Sequence, residues 1–179
     1  MTNTAGLYGG SLYDLAKEEG IAREVLEQAV QIRALFRENP AYISLLSEPS
    51  ISLEERCGLI DKAFGECTEK YLLNFMKLLC ERGHLKEYAF CCEEFERRYN
   101  EDNHIAKAEA RCAVALTDAQ KKALTARLEK VTGKTVHLTA VVDPSVIGGL
   151  LVSIDGKQLD GTLKGRMDSL SRKIEQVTL

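Results

Sequence analysis

The hydrophobic period of the chain changes once, near His104. Upstream, apolar residues recur every three or four positions. From Ile105 to Val114 they alternate: Ala106, Ala108, Ala110, Cys112 and Val114 fall on one side, Lys107, Glu109 and Arg111 on the other. The first period lays a stripe along a helix, and the second lays a face along a strand with one wet side. One element cannot satisfy both. The 179 residues are therefore expected to form a mainly α protein, with an N-terminal six-helix bundle (residues 1–104) followed by a small α+β C-terminal domain (residues 105–179).

The helices of the first part can be placed one by one. Tyr8, Ser11, Leu12 and Leu15 share one helical face, and Val25, Ala29, Ile32 and Phe36 form a second stripe after a break at Gly20. A short third helix follows Asn39, a potential cap, with Pro40 at the first helical position. Ser52 and Glu55 make a capping box for the fourth, which Gly65 is expected to end in the left-handed conformation. The fifth is the most apolar, with Tyr71, Leu72, Phe75, Met76, Leu78 and Leu79 before Gly83. Tyr88, Cys91, Cys92, Phe95 and Tyr99 place the sixth. In the second part, Thr117 and Gln120 box a helix that Gly133 closes, and residues 135–143 read as a strand. Asp155-Gly156 suits a two-residue type I′ hairpin turn. A closing helix carries Leu163, Met167, Leu170, Ile174 and Val177 on one stripe.

Charge separates along the same boundary. Residues 1–104 carry 19 acidic and 12 basic side chains, and residues 105–179 carry 8 and 12. The halves are thus net −7 and +4, which suits two partners on two surfaces. No apolar run approaches the ~18 residues of a membrane span. The N-terminus lacks a basic-then-apolar leader, so a cytosolic setting with mostly reduced cysteines is expected.

Most candidate chemistry fails on spacing. The glycine-rich stretch "VIGGLLVSIDGKQLDGTLKGRM" contains neither phosphate-loop fingerprint. Gly148-Gly149 precedes a strand, where it is read as letting the chain enter a crowded position. Asp160-Gly161 opens the closing helix, where Asp160 would repel an anion and reads as a cap. No C-x-x-C pair occurs and the three histidines are scattered, so no metal is expected. Cys80 and His84 could pair as thiolate and imidazole, but Gly83 interrupts the helix between them. That leaves a thiol-dependent enzyme or redox sensor as the alternative reading. Glu18-Glu19, Glu54-Glu55 and Glu93-Glu94 are read as solvated helix faces. The basic half has spread charges and few aromatics, which argues against nucleic acid. The apolar excess of the first and fifth helices points instead to a groove for an amphipathic partner helix.

The chain resembles the delta subunit family of F-type ATP synthases, the bacterial counterpart of the mitochondrial oligomycin-sensitivity-conferring protein. "LYGGSLYDLAKEEG" is similar to the family's opening Tyr-Ala-x-Ala-Leu-Phe-x-x-Ala helix. Gly9 and Ser11 stand where alanine is commoner, which alters the groove floor. "LLSEPSISLEERCGLI" and "NFMKLLCERGHLKEY" match in order. "VVDPSVIGGLLVSIDGKQLDGTLKGRMDSL" is similar to the C-terminal signature, with Thr162 in place of a serine.

The resemblance implies a non-catalytic stator that binds no cofactor and lies peripherally at the cytoplasmic face of the membrane. It implies that Tyr8, Ser11, Leu12, Leu15, Leu72, Phe75, Met76 and Leu79 hold the N-terminal helix of an alpha subunit. It also implies that Leu163, Met167, Leu170 and Ile174 meet the C-terminal region of the b-subunit stalk. Gly148, Gly149, Asp155, Gly156, Asp160 and Gly161 are then structural.

Overall fold

In a computed structural model, residues 3–160 apart from Ile147 are described. Six α-helices precede His104 among them: α1 (Asn3–Glu18), α2 (Ala22–Glu38), α3 (Pro40–Leu46), α4 (Leu53–Phe64), α5 (Lys70–Glu81) and α6 (Tyr88–Asp102), with a 3-10 turn at Leu85–Glu87 before α6. Their apolar stripes share one core. Val25, Ile32 and Phe36 from α2 meet Leu46, Ile60, Leu72, Met76, Leu79, Leu85, Tyr88 and Phe95 there. Phe36 packs edge-on against Tyr88, with ring centroids 5.1 Å apart, and Tyr13 packs likewise against Phe95 at 5.3 Å.

Local chemistry sets the helix ends. The Ser52 hydroxyl accepts from the Glu55 N–H while the Glu55 carboxylate accepts from the Ser52 N–H, so two orphan donors are satisfied at once. Gly83 takes φ 73°, and the His84 N–H returns to the Leu79 carbonyl at 2.8 Å to close α5. Two expectations are corrected. Asn39 does not cap α3: its side-chain amide and its backbone N–H both donate to the Leu35 carbonyl, so it closes α2 instead. Only one residue separates the two helices, and the upstream carbonyl takes both donors. Gly65 is right-handed, with φ −59° and ψ −33°, so no left-handed glycine ends α4.

α1 approaches α6 closely at Gly9. A Cβ on Gly9 would sit inside the van der Waals radius of the Cys91 backbone oxygen. Gly9 thus faces α6 and does not floor a groove beside α5. A charge chain ties the same two helices. Glu94 is only 7% exposed, which corrects its assignment to a solvated face. Arg97 donates to it through Nη2 and Nε at 2.7 and 2.9 Å, and Arg98 through Nε at 3.0 Å. Arg98 Nη1 then donates to both Asp14 oxygens on α1, each at 3.2 Å. Hydrogen bonds from Arg97 above all, opposed by burial, hold the Glu94 carboxyl below its usual pKa.

The second part contains a four-stranded sheet with order β2-β1-β3-β4. Its strands are β1 (Ile105–Cys112), β2 (Thr135–Val142), β3 (Leu150–Ile154) and β4 (Lys157–Asp160). β1 runs parallel to β2 and antiparallel to β3, which pairs antiparallel with β4. α7 (Asp118–Thr132) makes the crossover between β1 and β2. β1 buries Ala106, Ala108, Ala110 and Cys112. The three alanines share a small core with Leu128 of α7, Val136, Val152 and Ile154. β1 ends two residues earlier than the alternation suggested, leaving Val114 exposed. Asp155 and Gly156 take φ 46° and 77°, both positive as a type I′ turn requires, between paired Ile154 and Lys157. Gly148 and Gly149 take φ 65° and 82° before β3, a backbone conformation that favours glycine. Asp160 ends β4 opposite Leu151, while Gly161 and the expected closing helix lie outside the described residues. The chain divides into two compact units, Met1–Tyr99 and Asn100–Leu179, a few residues ahead of His104.

Gly9→Ala is expected to destabilise the helical unit by about 1–3 kcal/mol through overpacking, although alanine favours helices. Gly6→Ala, where a Cβ meets nothing within 4 Å, should stabilise it by about 0.5–1 kcal/mol. Urea unfolding of the two variants measures both signs. The lowered Glu94 pKa makes a second prediction. A depressed carboxyl contributes stability that is fully present above its unfolded pKa and is lost as pH falls through the folded value. Glu94→Gln should cost about 1–3 kcal/mol at pH 7 and a smaller increment at acid pH, where wild type has lost that contribution too. Thermal unfolding from pH 7 down to acid pH reads the convergence.

Candidate functional site

α1 and α5 run antiparallel along a shared seam. At one end the Tyr8 ring lies 6.1 Å from the His84 ring, just past α5. At the other the carboxylate of Glu19, just past α1, faces the Tyr71 hydroxyl and raises its pKa. The eight residues expected to line a groove here do not share one surface. Leu72, Met76 and Leu79 are fully buried, and Leu12 and Phe75 are each 7% exposed. These five belong to the core and offer no free face. A partner reaches only the other three: Tyr8 is half-buried, Ser11 is exposed, and Leu15 is 39% exposed. The Ser11 hydroxyl donates to the Leu7 carbonyl at 2.9 Å.

Helical geometry identifies what else faces the seam. Leu78, at 37% exposure, and half-buried Tyr71 are seven apart on the α1 side of α5. Leu7, at 68%, extends the apolar surface along the outer face of α1. The signal for Tyr71 and Leu78 was in the sequence. α5 carries seven large apolar residues, and a core stripe of 72, 76 and 79, joined by 75, leaves Tyr71 and Leu78 on one flank and Leu73 on the other. Periodicity does not say which of two adjacent stripes turns inward. The four residues assigned to the second partner, Leu163, Met167, Leu170 and Ile174, lie outside the described residues.

Among the described residues nothing at the thiols assembles a nucleophile with a base. The Cys80 thiol donates to the Leu46 carbonyl at 3.4 Å, and burial raises its pKa. His84 instead faces Tyr8 and sets Nδ1 3.4 Å from a Glu87 oxygen. Burial likewise pushes Cys91 up to about 11 and Cys92 up to about 12. Among the described residues no three His, Cys, Asp or Glu side chains are grouped to hold a metal, and no helix is long and apolar enough to cross a membrane. A cleft of about 670 Å³ between α2 and the start of α6, lined in part by Arg33, Phe36, Arg37, Lys86 and Tyr88, lies away from the seam.

With this geometry in hand, similarity decides the family. The profile described as "ATP synthase delta (OSCP) subunit" matches residues 4–174. The chain belongs to the ATP synthase delta (OSCP) family. It is 32% identical over 168 residues to the ATP synthase subunit delta of Geobacillus sp. (strain WCH70), covering 93% of this chain and 94% of that one. It is 30% identical over 182 residues to that of Rhizobium rhizogenes (strain K84 / ATCC BAA-868), covering 99% and 95%. In fold it matches a chain in the cryo-EM structure of the Toxoplasma gondii mitochondrial ATP synthase hexamer, with a TM-score of 0.75, 16% identity, and 97% and 98% of the two chains covered. Membership makes this a structural, non-catalytic component of the stator, or peripheral stalk, of a proton-translocating F-type ATP synthase.

The burial pattern separates two substitutions two positions apart on α5. Met76→Asp should unfold the helical unit or cost more than about 4 kcal/mol, since it buries an unpaired carboxylate. Leu78→Asp should stay within about 0.5–1 kcal/mol of wild type. Chemical denaturation followed by circular dichroism distinguishes them.

Proposed function

We propose that the helical unit is a six-helix bundle that seats the N-terminal helix of an alpha subunit along the α1–α5 seam, and that residues 105–179 bind the C-terminal region of the b subunit. The stalk contact falls on Leu163, Met167, Leu170 and Ile174. The protein then sits at the cytoplasmic face of the membrane, held there through its complex. The carrying observation is the apolar edge of Leu7, Tyr8, Leu15, Tyr71 and Leu78, open along a seam whose buried side is already complete. An amphipathic helix lays its apolar face into such an edge. The seam keeps Tyr8, Ser11 and Leu15 from the expected set and adds Leu7, Tyr71 and Leu78. Leu12, Leu72, Phe75, Met76 and Leu79 hold its floor and walls from beneath.

Burial suits the task. A stator carries torque between head and stalk, so its contacts must release slowly. Slow release comes from desolvated apolar anchors more than from rim charges. Attachment of two units to two sites raises the effective concentration of each at its own. The opposite charges of the two halves suit separate partners.

Isothermal titration calorimetry with a synthetic alpha-subunit N-terminal peptide tests the seam. The double variant Leu15→Asp, Leu78→Asp should lose at least about 2 kcal/mol of binding, roughly thirty-fold in Kd, with the fold intact. Val131→Asp, at a position of α7 that is 80% exposed, should leave the affinity unchanged. Wild-type affinity in a folded double variant would exclude the seam.

A further inference from the structure

A purely mechanical role leaves the placement of two cysteines in the helical unit unused. Cys57 on α4 and Cys80 on α5 come from adjacent antiparallel helices. The register follows from an ion pair, since Lys77 of α5 bonds Asp61 of α4. One turn further, backward along α4 and forward along α5, the facing positions are 57 and 80–81. That register sets the Cys57 and Cys80 positions opposite one another across the α4–α5 contact, and burial raises the Cys80 pKa. A shared acceptor places the third group, since the Leu46 carbonyl takes the Cys80 thiol at 3.4 Å and Arg56 Nη1 at 3.3 Å. The Arg56 Nε–H is buried with no acceptor among the described residues. An unsatisfied buried donor on a guanidinium costs free energy that structures seldom leave uncompensated.

We propose that Cys57 and Cys80 are a peroxide-sensitive dithiol that closes to a disulfide between α4 and α5. Cys57 is the half-buried, reachable member, and Cys80 is the buried resolving thiol. The Cys57 thiolate attacks one oxygen of hydrogen peroxide; the S–O bond forms, the O–O bond breaks, and hydroxide leaves. The Cys80 sulfur then attacks the Cys57 sulfur and gives its proton to the departing oxygen, so the S–S bond forms, the S–O bond breaks and water leaves. Two thiols and one peroxide become one disulfide and two waters. Arg56 Nε–H is the donor for the sulfur or oxygen anion along the way. Cys91 and Cys92 are buried thiols held neutral, and they take no part. The link would grip α5 on the side away from the seam, and it does not depend on which partner the seam holds.

Peptide mapping tests this directly. The full chain carrying Cys67→Ser, which removes the exposed thiol, is treated with stoichiometric hydrogen peroxide at neutral pH, alkylated, and digested with trypsin without reduction. Cleavage after Arg56, Lys62, Lys77 and Arg82 isolates residues 57–62 and 78–82. The expected product joins these two peptides, lighter by two hydrogens than their sum, and dithiothreitol reverses it. Cys57→Ser, a change at a half-buried position, should abolish the product, and Arg56→Gln should slow its formation several-fold. Cys57 found as sulfinic acid or still alkylatable in oxidised protein, with no linked peptide, would overturn the proposal. So would linkage of Cys57 to another chain.

Discussion

The outward edge of α1 depends on its close approach to α6 at Gly9. With no Cβ between Gly9 and the Cys91 carbonyl, the two backbones come closer than a larger residue allows. That contact settles how α1 is rolled about its axis. Ala5, Leu12 and Ala16 turn into the core, while Leu7, Ser11 and Leu15 remain outside. The ion chain from Glu94 through Arg98 to Asp14 holds the same roll from the flank, with its buried end fully hydrogen-bonded. A buried charge is tolerable only when it is paired in this way.

Given that roll, α5 serves three neighbours with three stripes. Leu72, Met76 and Leu79 fill the core. Leu73 and Cys80 face the α4 side, where Lys77 reaches Asp61. Tyr71 and Leu78 border α1 and stay partly in water. A helix so apolar is buried on most of its circumference, and what stays exposed is small and placed at a helix–helix seam. A stator subunit needs that combination: a scaffold stable without its partner, and an apolar edge that gains from being covered.

The legible part of this protein was its local chemistry. The change of period at His104, the Ser52–Glu55 and Thr117–Gln120 boxes and the Asp155-Gly156 turn each depend on residues a few positions apart, whose geometry the backbone nearly dictates. The misreadings involve competition or distance. Asn39 had two helix ends to serve, and the nearer free carbonyl won. Glu94 looked solvated because its partners Arg97, Arg98 and Asp14 form a network only once α1 meets α6. Five of the eight groove residues proved to be core, because an apolar stripe looks the same whether a neighbouring helix or a partner covers it.

By itself, then, the amino-acid order determined the element types, most of their boundaries, the division into a helical and an α+β part, and the family, since all of these rest on short-range spacing or on matched motifs. The tertiary structure alone decided which apolar residues remain for a partner. Exposure is a property of neighbours in space, and here it was settled by a missing methyl at Gly9 and by the roll of α1 that follows from it.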